Sequence, residues 1–111
     1  MKKILFLISL IFISVRIFSQ AEEVKIYDPD ADAREDIANA VRQAYAENKH
    51  VLLQIGGNWC PWCVRLHNLE SSDPQIDSLL NANYIRVMVN VPKEKDKRDY
   101  ELLKTLGNPQ R

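Results

Sequence analysis

The only two cysteines of the 111-residue chain, Cys60 and Cys63, stand three residues apart. An apolar, strand-like run at residues 51–55 ends just before them at two glycines. From Cys60 on, apolar residues recur at helical spacing, and Pro61 suits the first turn of a helix. We therefore predict a buried strand, a glycine-containing loop, and a helix that carries both sulfurs in its first turns.

This placement predicts a reactive thiol. The unpaired N–H groups and the positive dipole end of a helix N-terminus stabilise a thiolate, so we expect the pKa of Cys60 to lie below the ~8.5 of a free cysteine. Asn58 or the loop end at Trp59 is the expected N-cap. Cys63 is expected to be buried and less reactive, within disulfide reach of an exposed Cys60. Cys60 would then attack a substrate disulfide, and Cys63 would resolve the mixed disulfide.

The spacing of the pair bears on the choice between a redox centre and a structural bridge. A Cys-x-x-Cys bridge closes a very short loop and removes little entropy from the unfolded chain, which favours the redox interpretation. A static disulfide stays open as an alternative. So does a metal-binding or metal-delivery module, because His67 lies one helical turn after Cys63 and could join both cysteines as a third ligand.

The run Trp-Cys-Pro-Trp-Cys at residues 59–63, behind a strand and a glycine loop, resembles the active site of the thioredoxin-like superfamily. It is most similar to secreted or periplasmic members with a Trp-Cys-x-Trp-Cys motif, over residues 33–106. The resemblance implies a protein thiol–disulfide oxidoreductase with Cys60 and Cys63 as catalytic residues. It also implies protein substrates with disulfides or thiols, no dissociable cofactor, and recharging by a membrane redox partner.

Three residues around the cysteines are predicted to contact substrate: Trp59, Pro61 and Trp62. The two tryptophans would offer apolar surface to a flexible protein substrate, although packing on the sheet is an alternative that we favour for Trp59. Pro61 and Trp62, between the cysteines, would also tune the reduction potential.

Two positions depart from the pattern of thioredoxin itself. There, the strand position six before the first cysteine usually holds a buried aspartate that helps move the proton of the resolving cysteine, and a lysine often stands on the neighbouring strand. This chain has Gln54 and Met88 at the corresponding positions. Gln54 cannot act as a base, so deprotonation of Cys63 would use water or another group.

The remaining pattern predicts an α/β fold with a βαβ unit, and the resemblance implies that this is the N-terminal βαβ half of a thioredoxin-like fold with extra helices. The predicted elements are a short strand at 23–27, a helix from about residue 33 with an inner face formed by Ile37, Ala40, Val41, Ala44 and Tyr45, a helix from Pro74, a strand at 84–90, a charged loop at 93–98 and a helix at 100–106. The resemblance implies that a cis-proline loop, an antiparallel hairpin and a last helix would follow, as in thioredoxin-like folds, but this sequence has no counterpart of them. We therefore expect a C-terminally truncated chain with weak activity.

The N-terminal residues have the pattern of a secretory signal peptide. Lys2 and Lys3 precede an apolar run at 4–13, and small residues near position 21 suggest cleavage there; an uncleaved membrane anchor is the alternative. We predict a signal peptide at 1–21, a thioredoxin-like domain (incomplete) at 22–111, and a periplasmic or secreted location, where disulfides persist. The chain has 15 basic and 15 acidic residues. This balance gives no reason to expect a nucleic acid as a partner, so we predict that the protein binds no nucleic acid and no DNA.

Overall fold

A computed structural model describes residues 24–107 of the chain. This part has mixed α/β architecture, and its elements in order are helix α1 (Ala33–Glu47), strand β1 (His50–Gly56), helix α2 (Pro61–Ser72), helix α3 (Pro74–Asn83), strand β2 (Tyr84–Asn90), a 3₁₀ helix (Lys95–Lys97) and helix α4 (Tyr100–Thr105). The predicted α/β class and the predicted order of the α-helices and of the two strands are confirmed, while the predicted charged loop at 93–98 contains the 3₁₀ helix. The predicted signal peptide lies outside the described residues. Between residues 24 and 107, none of the helices is long and apolar enough to cross a membrane.

The two strands form a parallel sheet, with His50 opposite Tyr84 at one end and Gly56 opposite Asn90 at the other. Parallel strands need a crossover connection, which α2 and α3 supply. Successive side chains alternate between the two faces of a strand. The side chains of Val51, Leu53 and Ile55 lie on one face of the sheet, where they pack against the buried core. Gln54 and Gly56 point to the opposite face, toward α2.

The core lies between the sheet, α1 and α4. Its buried members are Ala40, Val87, Val89 and Leu102. The inner face of α1 is narrower than predicted, because Val41 is 54% and Tyr45 92% exposed. The part of α1 that is buried or half-buried against the core is the stripe through Ile37, Ala40 and Ala44.

The predicted strand at 23–27 is wrong over the described residues 24–27, which form no strand. The backbone N–H groups of Ile26 and Tyr27 donate instead to Oδ1 of Asn58, at 3.0 and 2.9 Å, and Nδ2 of Asn58 donates to the carbonyl of Tyr27 at 2.7 Å. An asparagine side chain has an acceptor and a donor, as a peptide group does, so it replaces the strand partner. The segment delivers the Tyr27 ring, which is 4% exposed, to the interior.

Candidate functional site

The disulfide lies at the first turn of α2, where the sequence places it. Cys60 is the N-cap, with an extended backbone, and its Sγ accepts a hydrogen bond from the N–H of Cys63 at 3.3 Å. Pro61 follows in the first turn. The expectation that Asn58 or Trp59 would cap α2 is therefore wrong. Asn58 is hydrogen-bonded to residues 26 and 27, and Sγ of Cys60 accepts the hydrogen bond from the first turn of the helix. Sγ of Cys60 thus lies at the positive end of the helix dipole.

Cys60 and Cys63 are joined in a disulfide, and their Cα atoms lie 5.3 Å apart. Both residues are half-buried, so the expected contrast between an exposed Cys60 and a buried Cys63 is not found. Cys60 stands at the loop end above α2, whereas Cys63 lies against β1.

Close packing of Cys63 on β1 depends on Gly56. A Cβ at this position would lie 2.6 Å from Sγ of Cys63 and 3.0 Å from the hydroxyl of Tyr27. Carbon atoms do not approach other heavy atoms this closely, so this packing requires a residue without a side chain at position 56. The glycine thus brings the disulfide and the phenol to the same end of β1.

Trp59 is anchored on the protein. Its Nε1 donates to the carbonyl of Val91 at 2.8 Å, and the guanidinium of Arg98 lies 5.9 Å from the ring centroid. The ring is 43% exposed. These contacts hold the ring against the segment after β2, while its packing on the sheet and its part in binding substrate both stay predictions.

Trp62 presents a larger free surface beside the disulfide. It is 74% exposed, with the guanidinium of Arg65 4.8 Å from its ring centroid. Leu66 and Leu69 follow on α2 at helical spacing and are also exposed, so an apolar stripe runs from the cysteines along the helix. Pro61 is exposed next to Trp62.

A buried polar pair lies between β1 and α2. Gln54, opposite Met88 in the sheet, donates through Nε2 to Oε2 of Glu70. Both side chains are buried at 9% exposure, and Oε1 of Gln54 has no protein partner. Burial raises the pKa of the Tyr27 phenol, and the nearby charge of Glu70 raises it further.

Sequence reasoning did not single out Glu70. The available signal was its spacing: it stands seven residues, or two helical turns, after Cys63, on the same face of α2.

The metal-binding alternative finds no support in the part of the chain that the structure covers. The Nε2 atom of His67 lies 3.5 Å from Oγ of Ser71. Within residues 24–107, no group of three or more His, Cys, Asp or Glu side chains could hold a metal ion.

A Cys-x-x-Cys disulfide at the start of a helix, directly after a parallel strand, is the site that marks the thioredoxin-like class of proteins. Comparison with protein families agrees with this class. The chain belongs to the Thioredox_DsbH family, described as "Protein of unknown function, DUF255", whose model matches residues 30–103.

Two curated relatives resemble a shorter stretch. Spermatogenesis-associated protein 20 of Rattus norvegicus is 33% identical over 57 residues, which are 51% of this chain and 7% of that protein. The Mus musculus protein of the same name is 35% identical over 57 residues, with the same shares. This chain therefore spans 7% of the length of these relatives. No solved structure gives a significant match.

Proposed function

We propose that this protein is a thiol–disulfide oxidoreductase of thioredoxin-like fold that acts on disulfides or thiols of other proteins. The observation that carries the proposal is the position of Sγ of Cys60, which caps α2 and is disulfide-bonded to Cys63. A thiolate at this position accepts a hydrogen bond from a backbone N–H of the helix, which stabilises its charge. It therefore serves as nucleophile in the reduced protein and as leaving group when the disulfide is attacked.

In the reductive direction, the Cys60 thiolate attacks one sulfur of a substrate disulfide. A bond forms between Cys60 and the substrate, and the other substrate sulfur leaves as a thiolate that takes up a proton. The Cys63 thiolate then attacks Sγ of Cys60, which releases the second substrate thiol and forms the Cys60–Cys63 disulfide. Two electrons pass from the cysteine pair to the substrate, and a dithiol reductant must return them.

We further propose that residues 1–21 direct export, that the domain at 22–111 works in the periplasm or as a secreted protein, and that a membrane redox protein recharges it. The proposed export rests on the basic residues and apolar run at the N-terminus. Within the superfamily, we propose that this protein belongs to the secreted group with the Trp-Cys-x-Trp-Cys motif.

The first test is a redox titration of the cysteine pair. Trp59 and Trp62 are the only tryptophans in the chain, so their fluorescence in defined thiol buffers follows the neighbouring disulfide. We expect a reversible two-electron transition. A midpoint near roughly −270 mV would indicate a reductant and one near about −120 mV an oxidant. Absence of a reversible transition would refute the oxidoreductase function.

A second prediction concerns substrate docking on Trp62. We expect Trp62→Ala to lower kcat/KM for a protein disulfide by about tenfold, because exposed aromatic anchors contribute strongly to contacts between proteins. Reduction of a small disulfide, which needs no extended contact, should change little.

The matched control is Tyr45→Ala, which removes an exposed aromatic ring from α1, on the other side of the sheet. It should leave both substrates unaffected. An equal loss for the large and the small substrate in Trp62→Ala would show that Trp62 acts on the thiols rather than in docking.

A further inference from the structure

Strand β1 pairs with β2 along one side only, because the sheet formed by the described residues has two strands. The N–H of Val91 donates to the carbonyl of Gly56 at 2.6 Å, so the backbone groups of Gly56 point toward β2. The direction of these groups alternates from residue to residue along a strand. The N–H and C=O groups of Val51, Leu53 and Ile55 therefore point away from β2, and we call the side that they form the open edge of β1.

The backbone groups on the open edge have no hydrogen-bond partner within the described part of the chain. Such an edge is a template for pairing with another strand, and proteins usually block it with charged residues or proline. Residues 51–55 contain neither. The outer edge of β2, in contrast, carries Arg86, and the N–H of Tyr84 there donates to the carbonyl of Leu80. Of the two edges of the sheet, that of β1 is the one suited to pairing.

Helix α1 presents apolar side chains above the same edge. Asp36 and Gln43 line a groove together with residues 85–88 of β2, so this flank of the helix faces β2. Because successive residues are rotated by about 100° around a helix, Val41 and Tyr45 lie on the opposite flank, on the side of β1. Both side chains are exposed. The open edge and this apolar flank together form one continuous surface.

The surface has two unlike ends. At the beginning of α1 it is covered by α4, since Arg34 pairs at 3.0 Å with Asp99, the N-cap of α4. At the end of α1, beside the start of β1, it is bare at Val41 and Tyr45. A two-fold rotation would bring the bare end of each of two molecules against the covered end of the other, so the surface is complementary to itself.

We propose that a second copy of this chain binds here, with the two β1 strands antiparallel about a two-fold axis at Leu53. The two sheets then become one sheet of four strands. In this register Leu53 lies opposite Leu53 of the second copy, and Val51 lies opposite Ile55. The three N–H and three C=O groups of each open edge all find partners. The cross-strand neighbours on the core face are apolar, and no like charges meet. Closed two-fold dimers are also the commonest form of homo-oligomer.

The pairing leaves both disulfides accessible. Gly56, at the disulfide end of β1, lies opposite His50 of the second copy, so the two sites are about 20 Å apart along the strands. The dimer goes beyond the proposed redox function and does not depend on it. Variants that dissociate the dimer should therefore keep the reductase activity of each chain.

Sedimentation velocity of the oxidised full chain over a range of concentrations is the first test. We expect a dimer with twice the 12.9 kDa of one chain. Val51→Pro removes an N–H that bonds nothing within the described fold and places the proline ring against the incoming strand, which edge positions tolerate in a monomer. It should raise the dissociation constant at least about hundredfold. Val51→Thr keeps the branched shape and the N–H, and as the matched control it should dimerise like wild type.

A second variant tests the flank of α1 without risk to the fold. Tyr45→Ala removes a side chain that is almost fully exposed, and it should weaken the dimer by about tenfold, as expected for an aromatic residue at an interface. Gln43→Ala, on the flank of the same helix that faces β2, is its control and should leave the dissociation constant unchanged.

Amide hydrogen exchange shows whether the open edge is the interface. Exchange is started at high or low protein concentration, quenched and measured by NMR. The amides of Val51, Leu53 and Ile55 should be protected at high concentration and exchange rapidly on dilution. Those of Leu52 and Gln54, which point toward β2, should stay protected at both concentrations and serve as the internal control.

Every outcome of these measurements decides the question. A monomer at all concentrations overturns the inference, and so does a dimer with equal dissociation constants in Val51→Pro and Val51→Thr. Slow exchange of the three edge amides even on dilution also overturns it, because a segment of the same chain would then cover the edge. None of these results changes the redox titration, which tests the proposed function separately.

Discussion

Cys60→Ser is expected to lower disulfide reductase activity by at least about 10³-fold, because a serine hydroxyl at neutral pH cannot replace the thiolate as nucleophile. Cys63→Ser should behave differently. It keeps the sulfur that caps α2 but removes the resolving thiol, so the protein should still attack a substrate and then accumulate as a mixed disulfide. The two variants carry the same chemical change at two positions three residues apart, and each is the control for the other.

The measurement is mass spectrometry of each variant after incubation with a disulfide-bonded protein, beside a turnover assay. We expect an adduct cleaved by dithiol with Cys63→Ser and none with Cys60→Ser. The reverse pattern would make Cys63 the nucleophile. The structure disfavours that outcome, because Sγ of Cys60, and not that of Cys63, accepts the N–H bond of the first helical turn.

Gly56→Ala is expected to destabilise the oxidised protein by about 2 kcal/mol, in the range of overpacked sites. The new Cβ would meet Sγ of Cys63 at 2.6 Å, its Cβ at 3.1 Å and the Tyr27 hydroxyl at 3.0 Å. Either the disulfide or the 24–27 segment must shift. Chemical denaturation gives the change in the free energy of unfolding, and the thiol titration should shift as well, because the altered residue touches both the sulfur and the phenol.

A double-mutant cycle identifies the cause. In a Cys63→Ala background the closest of these contacts is gone, so Gly56→Ala should cost less there than in wild type. Gly107→Asn is the comparison for backbone strain without crowding, because nothing lies within 4 Å of an added Cβ at Gly107 while its positive φ of 84° is one that L side chains rarely adopt. An equal cost of Gly56→Ala in both backgrounds would show that the sulfur contact is unimportant.

The elements that the sequence predicts well are those whose signals are local. Residues 51–55 read as a strand because they are a short apolar run, and they lie within β1. Pro61 and Pro74 mark the first turns of α2 and α3, since proline at these positions loses no helical hydrogen bond. Residues 84–90, rich in β-branched side chains, match β2 residue for residue. The pair at 60 and 63 lies where the change from strand to helix places it.

The errors have a common physical origin. The alternation of polar and apolar residues at 24–27 indicates side-chain direction, but it does not show which groups bind the backbone. Asn58, more than thirty residues away, accepts the hydrogen bonds that a neighbouring strand would otherwise accept. The same contact removed Asn58 as a cap for α2. Val41 and Tyr45 read as inner-face residues because periodicity does not tell how wide the opposing surface is.

Three features follow from the sequence alone: the α/β class, the position of the cysteine pair at a helix start, and the resemblance that points to thiol–disulfide chemistry. These depend on neighbours a few residues apart, where spacing sets geometry. Only the tertiary structure paired Gln54 with Glu70, brought the Tyr27 hydroxyl and Cys63 to the same end of β1 and showed why position 56 is glycine. Those residues come from three separate segments, and their proximity results from how α2 and the 24–27 segment pack on β1, which local patterns do not encode.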